Sequence, residues 1–92
     1  MEHWERFKDE LASESPAALL LEGLDEAIVG IGRRCGKPSL AVYDQAKIIA
    51  ILERTMPPAD ALDYYGFNIA GAWMGENTPI IMEAMPGEGW DA

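Results

Sequence analysis

Proline and glycine interrupt this chain at four places and leave only short segments between them. The interruptions fall at Ser15-Pro16, residues 32–38, Pro57-Pro58 and residues 75–77. Proline breaks helices and central strands, and glycine favours turns, so only short helices and strands can form. The 92 residues provide one domain's worth of chain, in which a deep cleft would compete with the core for the same apolar side chains.

The first third of the chain predicts two helices. Residues 3–12 place apolar side chains at spacings of three and four, which is typical of a short amphipathic helix. Ser15 and Pro16 then suit the start of a second helix, which we predict from Ala17 to Gly32, with Gly23 allowing a kink. Its apolar positions are Leu20, Leu24, Ala27, Ile28 and Ile31. The glycines, cations and proline of residues 32–38 predict its C-terminal end.

The rest of the chain predicts two strands and two more helices. Ser39–Tyr43 has strand character, and Asp44 is placed to cap a helix over Gln45–Arg54. A longer helix is predicted over Pro58–Met74, and a second strand over Thr78–Met82. One face of the longer helix carries Leu62, Tyr65, Ile69 and Trp73. Its interior glycines, Gly66 and Gly71, indicate close packing or a bend.

These elements predict an α+β fold with about four helices packed on a small two-stranded sheet. The domain is expected to span residues 1–83, and residues 84–92 are expected to form a flexible acidic tail. Two short strands are not stable alone, so they must pair with each other beneath the helices or continue into a partner's sheet. A homodimer or higher homo-oligomer is one outcome of that requirement.

The charge balance narrows the classes of partner. With 16 acidic residues against 7 basic ones, the net charge is −9, which disfavours direct binding to nucleic acid and favours partners with a basic surface. The single cysteine, Cys35, indicates a reducing compartment, and no apolar run is long enough to cross a membrane. A cytoplasmic location is expected. With one histidine and one cysteine, no metal or other cofactor is expected.

Two groups of residues are candidates for binding. The first is the basic cluster of Arg33, Arg34 and Lys37, which holds three of the seven basic residues. It could bind an anion, a nucleotide or an acidic partner, or it could cap a helix and pair with nearby carboxylates. The second group comprises Asp60, Asp63, Tyr64 and Glu76. Its carboxylates could equally form a solvated face, and its tyrosine could lie in the core or anchor an interface.

Three segments carry a resemblance to a known family. They are GLDEAIVGIGRRCG at residues 23–36, AVYD at residues 41–44 and FNIAGAWMGENTPI at residues 67–80. Together they resemble a family of small, mostly uncharacterised accessory proteins encoded by tailed phages and prophages. The resemblance spans roughly residues 21–81 and brings no catalytic residues with it. It implies an accessory phage protein that acts in the cytoplasm of the host cell.

The leading hypothesis is a non-enzymatic, acidic protein-interaction module that inhibits or redirects a host factor, such as a nuclease-based immune system. The alternative is an oligomeric binder of a small molecule or nucleotide, in which Arg33, Arg34 and Lys37 from adjacent subunits hold phosphate groups. An enzyme has the least support, because the chain lacks a catalytic base, a paired nucleophile and a metal-binding set.

Overall fold

The computed structural model describes residues 3–84, and their side chains from Glu5 onward. Helix α1 spans His3–Glu14 and is followed by an irregular segment and a 3₁₀ turn at Asp25–Ala27. The remaining elements are strands β1 (Ile28–Gly32) and β2 (Leu40–Asp44), helices α2 (Gln45–Leu52) and α3 (Pro58–Tyr65), a π-helical turn (Gly66–Ala70) and strand β3 (Ile80–Met82). The predicted tail, apart from Ala84, lies outside these residues.

The three strands form one sheet in the order β1-β2-β3. Strand β2 pairs antiparallel with β1 and parallel with β3, so the helices α2 and α3 make up the crossover between the parallel pair. The register is irregular between Ile28 and Gly30, which leaves Val29 in a bulge. The fold is therefore α+β, as predicted, and β2 is its central strand.

The two faces of the sheet differ in what covers them. On one face, the β2 side chains of Ala41 and Tyr43 are fully buried in a cluster with Leu11 of α1, Ile48 of α2 and Tyr65 of α3. Val42 lies on the other face, level with Gly30 of β1 and Ile80 of β3. None of these three belongs to the buried core, and Ile80 is 40% exposed.

The prediction of a second helix over Ala17–Gly32 is wrong. Gly23 has a φ of +83°, which ends any helix there, and residues 28–32 form β1. The basic segment after Gly32 accordingly connects two strands of a hairpin and does not cap a helix. The described chain therefore has three α-helices and three strands, where four helices and two strands were predicted.

The second half of the chain follows the prediction more closely. Both predicted strands form and pair with each other, and the Asp44 carboxylate accepts the Lys47 backbone N–H at 3.0 Å, as expected of an N-cap. The long helix stops earlier than predicted, because it widens into a π-helical turn at Gly66 and ends at Ala70. Across residues 3–84, no helix is long and apolar enough to cross a membrane.

Gly32 lies where the sheet leaves no room for a side chain. A Cβ atom at Gly32 would lie 2.9 Å from Ile80 Cδ1 and 3.0 Å from Val42 Cγ2, whereas a Cβ at Gly30 would meet nothing within 4 Å. We expect Gly32→Ala to lower the free energy of unfolding by about 1 kcal/mol, because the side chains must shift. Gly30→Ala is the matched control and should be neutral or slightly stabilising. Urea denaturation measures both, and equal effects would contradict the packing described.

Tyr43 generates a prediction about stability at high pH. Its hydroxyl oxygen accepts the Leu21 backbone N–H at 2.8 Å, and burial raises the pKa of its phenol above the usual value. Tyr43→Phe should cost about 1 to 2 kcal/mol at neutral pH, because the Leu21 N–H loses its acceptor. Since the folded pKa is raised, the neutral phenol contributes stability that is complete below about pH 10 and is lost as the pH rises further.

The measurement is urea denaturation of both proteins at about pH 8 and about pH 11. The wild type should lose more stability than the variant between these two values. Burial also raises the pKa of Tyr65, but that residue is present in both proteins and its effect cancels in the comparison. A parallel fall in both proteins would exclude Tyr43 as the titrating group.

Candidate protein-binding surface

Arg33 is engaged within the fold. Its guanidinium donates two hydrogen bonds to the Glu14 carboxylate, from Nε at 3.0 Å and from Nη2 at 2.5 Å. Glu10 approaches Nη2 at 3.8 Å, and Ser39 Oγ donates to Glu14 at 3.0 Å. The hydrogen bonds from Arg33 and then Ser39 lower the pKa of Glu14. Arg33 thus fastens the β1–β2 connection to the end of α1.

The other two predicted cations lie farther along the same connection. Arg34 and Lys37 are exposed, and the Lys37 N–H donates to the Arg34 carbonyl at 3.0 Å across a turn in which Gly36 has a φ of +77°. Neither makes an ion pair with a residue between 5 and 84. The fold therefore places the basic cluster in one loop, in which Arg33 is paired with Glu14 whereas Arg34 and Lys37 are exposed.

The second predicted group is divided between α3 and the turn that precedes β3. Asp60, Asp63 and Tyr64 are all exposed on α3, and Tyr64 retains 45% of its accessible surface. Glu76 is exposed in the turn before β3. Of these four residues, Tyr64 lines a concave surface that also involves residues far from it in sequence.

That concave surface consists of two adjoining depressions. The larger has a volume of about 320 Å³, and the smaller, of about 40 Å³, shares Leu21 and Ile69 with it. We call the two together the apolar groove. Most of the lining side chains are apolar, and they come from four stretches of the chain. The larger depression is lined by Leu21, Glu22, Gly23, Leu24, Ile51, Leu52, Thr55, Tyr64 and Ile69, and the smaller by Leu21, Ile69, Ala70, Ala72, Met74, Thr78, Pro79 and Ile81.

Large apolar side chains also project from residues 62–74, which we call the aromatic segment. Phe67 is 83% exposed and Trp73 is 74% exposed, with Leu62 at 56% and Met74 at 48%. Trp73 was predicted to share one helix face with Tyr65, but the helix ends before it. Met74 lines the smaller depression, so the aromatic segment borders the apolar groove.

Hydrogen bonds hold the end of the aromatic segment in place. The Met74 N–H donates to Thr78 Oγ1 at 2.8 Å, and the same hydroxyl donates to the Gly75 carbonyl at 2.6 Å. A Cβ at Gly71 would lie 3.2 Å from the Gly66 carbonyl oxygen, so the chain closes tightly after the π-helical turn. Trp73 and Met74 therefore lie on a loop that hydrogen bonds hold in place, which reduces the entropy lost when a partner binds.

The charges around the groove are mainly acidic. Glu22 lines the larger depression, and no lysine or arginine lines either one. Glu53 directly follows the lining residue Leu52, and Asp63 directly precedes the lining residue Tyr64. Both carboxylates are exposed. The nearby cation Arg54 is paired with Glu26. A ligand in the groove would therefore meet apolar walls with an acidic border.

No protein-family model, no curated protein and no solved structure matches this chain. Within residues 3–84, no group of three or more His, Cys, Asp or Glu side chains is arranged to hold a metal ion. The apolar groove and the aromatic segment are therefore interpreted from their own chemistry.

Sequence reasoning identified only part of this surface. It selected Tyr64 but missed Leu21, Ile69 and the other walls, because these lie far apart along the chain. It placed Trp73 in a helix, although it allowed that Tyr64 could anchor an interface. The one local signal for the change in the helix was the pair Gly66 and Gly71, which was interpreted as a bend or close packing.

The engagement of Arg33 can be tested by NMR. We expect Arg33→Ala to raise the pKa of the Glu14 carboxyl toward its ordinary value of 4.5, because the main cause of its depression is removed. Arg34→Ala, which removes the neighbouring cation, is the control and should leave the Glu14 pKa unchanged. The measurement is a titration of the side-chain carboxyl carbon. An unchanged Glu14 pKa in Arg33→Ala would refute the ion pair.

Proposed function

We propose that this protein is a non-catalytic, acidic protein-interaction module that binds a partner with a basic surface through the apolar groove and the aromatic segment. The observation that carries the proposal is the exposure of Phe67 and Trp73 on the same segment that supplies Ile69, Ala72 and Met74 to the apolar groove. Exposed aromatic side chains on an ordered surface mark interaction sites, and aromatic residues contribute much of the energy at protein interfaces.

The charge of the chain supports a basic partner. A net charge of −9 and the acidic border of the groove would steer a positively charged surface toward the apolar contacts. The resemblance to phage accessory proteins adds a setting to this proposal. In that setting the partner is a host factor in the cytoplasm that the protein inhibits or redirects, and a nuclease-based immune system has the basic surface required.

The alternative is a nucleotide or other anion held by the basic loop. The exposure of Arg34 and Lys37 favours it, whereas the two hydrogen bonds from Arg33 to Glu14 occupy donors that a phosphate would need. An Arg34→Ala and Lys37→Ala double variant distinguishes the two functions. It should retain the protein partner if the proposal is correct, and it should lose a nucleotide-induced thermal shift if the alternative is correct.

The proposal predicts that removing the aromatic side chains weakens partner binding without unfolding the protein. Phe67→Ala and Trp73→Ala should each lower affinity about tenfold or more, as truncation of interface anchors commonly does. Val29→Ala is the control, because Val29 is 45% exposed on β1 and lines neither depression. Affinity capture from host lysate, followed by titration of the captured protein, measures the effect. Capture that is equal for all variants would refute the proposal.

A further inference from the structure

We infer that the apolar groove binds one face of an amphipathic helix of the partner, and that the remaining surface of this helix is basic. This inference rests on the proposed function and names the chemistry that the groove would recognise. It follows from three properties of the groove: its shape, the state of its backbone groups and its charge.

The shape of the groove suits side chains that project from one element at regular intervals. The two depressions share the lining residues Leu21 and Ile69, so they are close enough for one bound element to contact both. The larger is of a size that holds more than one aliphatic side chain, and the smaller holds a single small group. An amphipathic helix inserts its apolar residues at spacings of three and four into a groove of this kind.

The backbone around the groove favours a helix over an added strand. A strand would need unpaired N–H and C=O groups along the walls, whereas a helix satisfies its own hydrogen bonds. The Leu21 N–H already donates to Tyr43 Oη, and the Leu24 N–H donates to the Leu21 carbonyl. On the opposite wall, the Thr55 N–H donates to the Leu52 carbonyl. None of these donors is left to form a ladder with a strand.

The charge of the groove selects a basic helix and disfavours a second copy of this chain. Glu22 in the wall, together with the exposed Glu53 and Asp63 next in sequence to wall residues, would oppose acidic residues on the flanks of an incoming helix. The chain's own helix α1 carries four acidic residues within Glu5–Glu14 against two basic ones, so another copy would meet repulsion there. Lysine or arginine on the flanks would instead complement this border.

The experiment uses three labelled peptides and the intact protein. The first peptide has leucines at positions i, i+4, i+7 and i+11, with lysine and arginine elsewhere. The second has the same composition in an order that spreads the leucines around the helix, and the third keeps the leucines but replaces the cations with glutamate. Fluorescence polarisation should show that the first peptide binds saturably and about tenfold or more tightly than the other two. Circular dichroism should show that it becomes helical on binding.

Protein variants connect that binding to the groove. Thr55→Lys and Glu22→Lys place a cation at exposed positions of the wall, where the fold should tolerate it, and should weaken the first peptide about fivefold or more. Asp9→Lys changes the net charge of the chain by the same amount as Glu22→Lys at an exposed position of α1, and should change affinity by less than about twofold. Each variant is first checked for an unchanged unfolding midpoint.

Several results would overturn the inference. Equal binding of the first two peptides would show that charge alone attracts them, and equal weakening by Asp9→Lys would show the same. A dimer that light scattering detects in the wild type and not in Thr55→Lys would identify a second copy as the occupant. If no peptide binds but a captured partner still depends on Trp73, only the inference fails. If the peptide binds and no captured partner depends on Phe67 or Trp73, the proposed function fails.

Discussion

The hydrogen bond between the Tyr43 hydroxyl and the Leu21 backbone N–H connects the core of this protein to its candidate binding surface. Tyr43 is fully buried in the central strand, within a core cluster to which all three α-helices contribute residues. Its hydroxyl reaches out of that core to the irregular segment before β1, at Leu21, which lines both depressions. The segment has no helix or strand of its own there, so the position of one groove wall depends on this bond and on the packing of Leu24 beneath it.

The bulge in β1 explains why sequence periodicity failed in this part of the chain. In a regular strand, residues on one face are two apart, whereas Ile28 and Ile31 are three apart and both pack against the core. The bulge at Val29 adds one residue, which places Ile28 and Ile31 on the same face of the sheet. Ile28 pairs with Tyr43 and Ile31 pairs with Ala41, and both partners belong to the core. A spacing of three is also what a helix produces, so the pattern alone could not separate the two structures. The composition, with β-branched residues and glycine, was the better guide.

The elements that could be predicted are those with local causes. Asp44 caps α2 through its own side chain, and proline begins α3 at the position where its missing N–H has no cost. The binding surface has no such local cause. Its walls come from separated stretches of the chain, which only the packing of α2 and α3 beside the segment before β1 brings together. The pairing of Arg33 with Glu14 likewise depends on how α1 meets the hairpin, and the sequence could list it only as one of two interpretations.

The π-helical turn shows how fold and surface are related in so small a domain. Had the α-helix continued through Gly66, Trp73 would have followed Tyr65 and Ile69 on one face of the helix. A large apolar side chain buried there would have added stability that a chain of 92 residues has few other ways to gain. The turn widens the helix and Gly71 follows it, so Trp73 and Met74 leave that face for an ordered, exposed loop. A small domain that leaves two aromatic side chains outside its core gives up stability that it could have had. Natural proteins accept such a loss where exposure serves function, which is the physical reason to propose that this segment binds a partner.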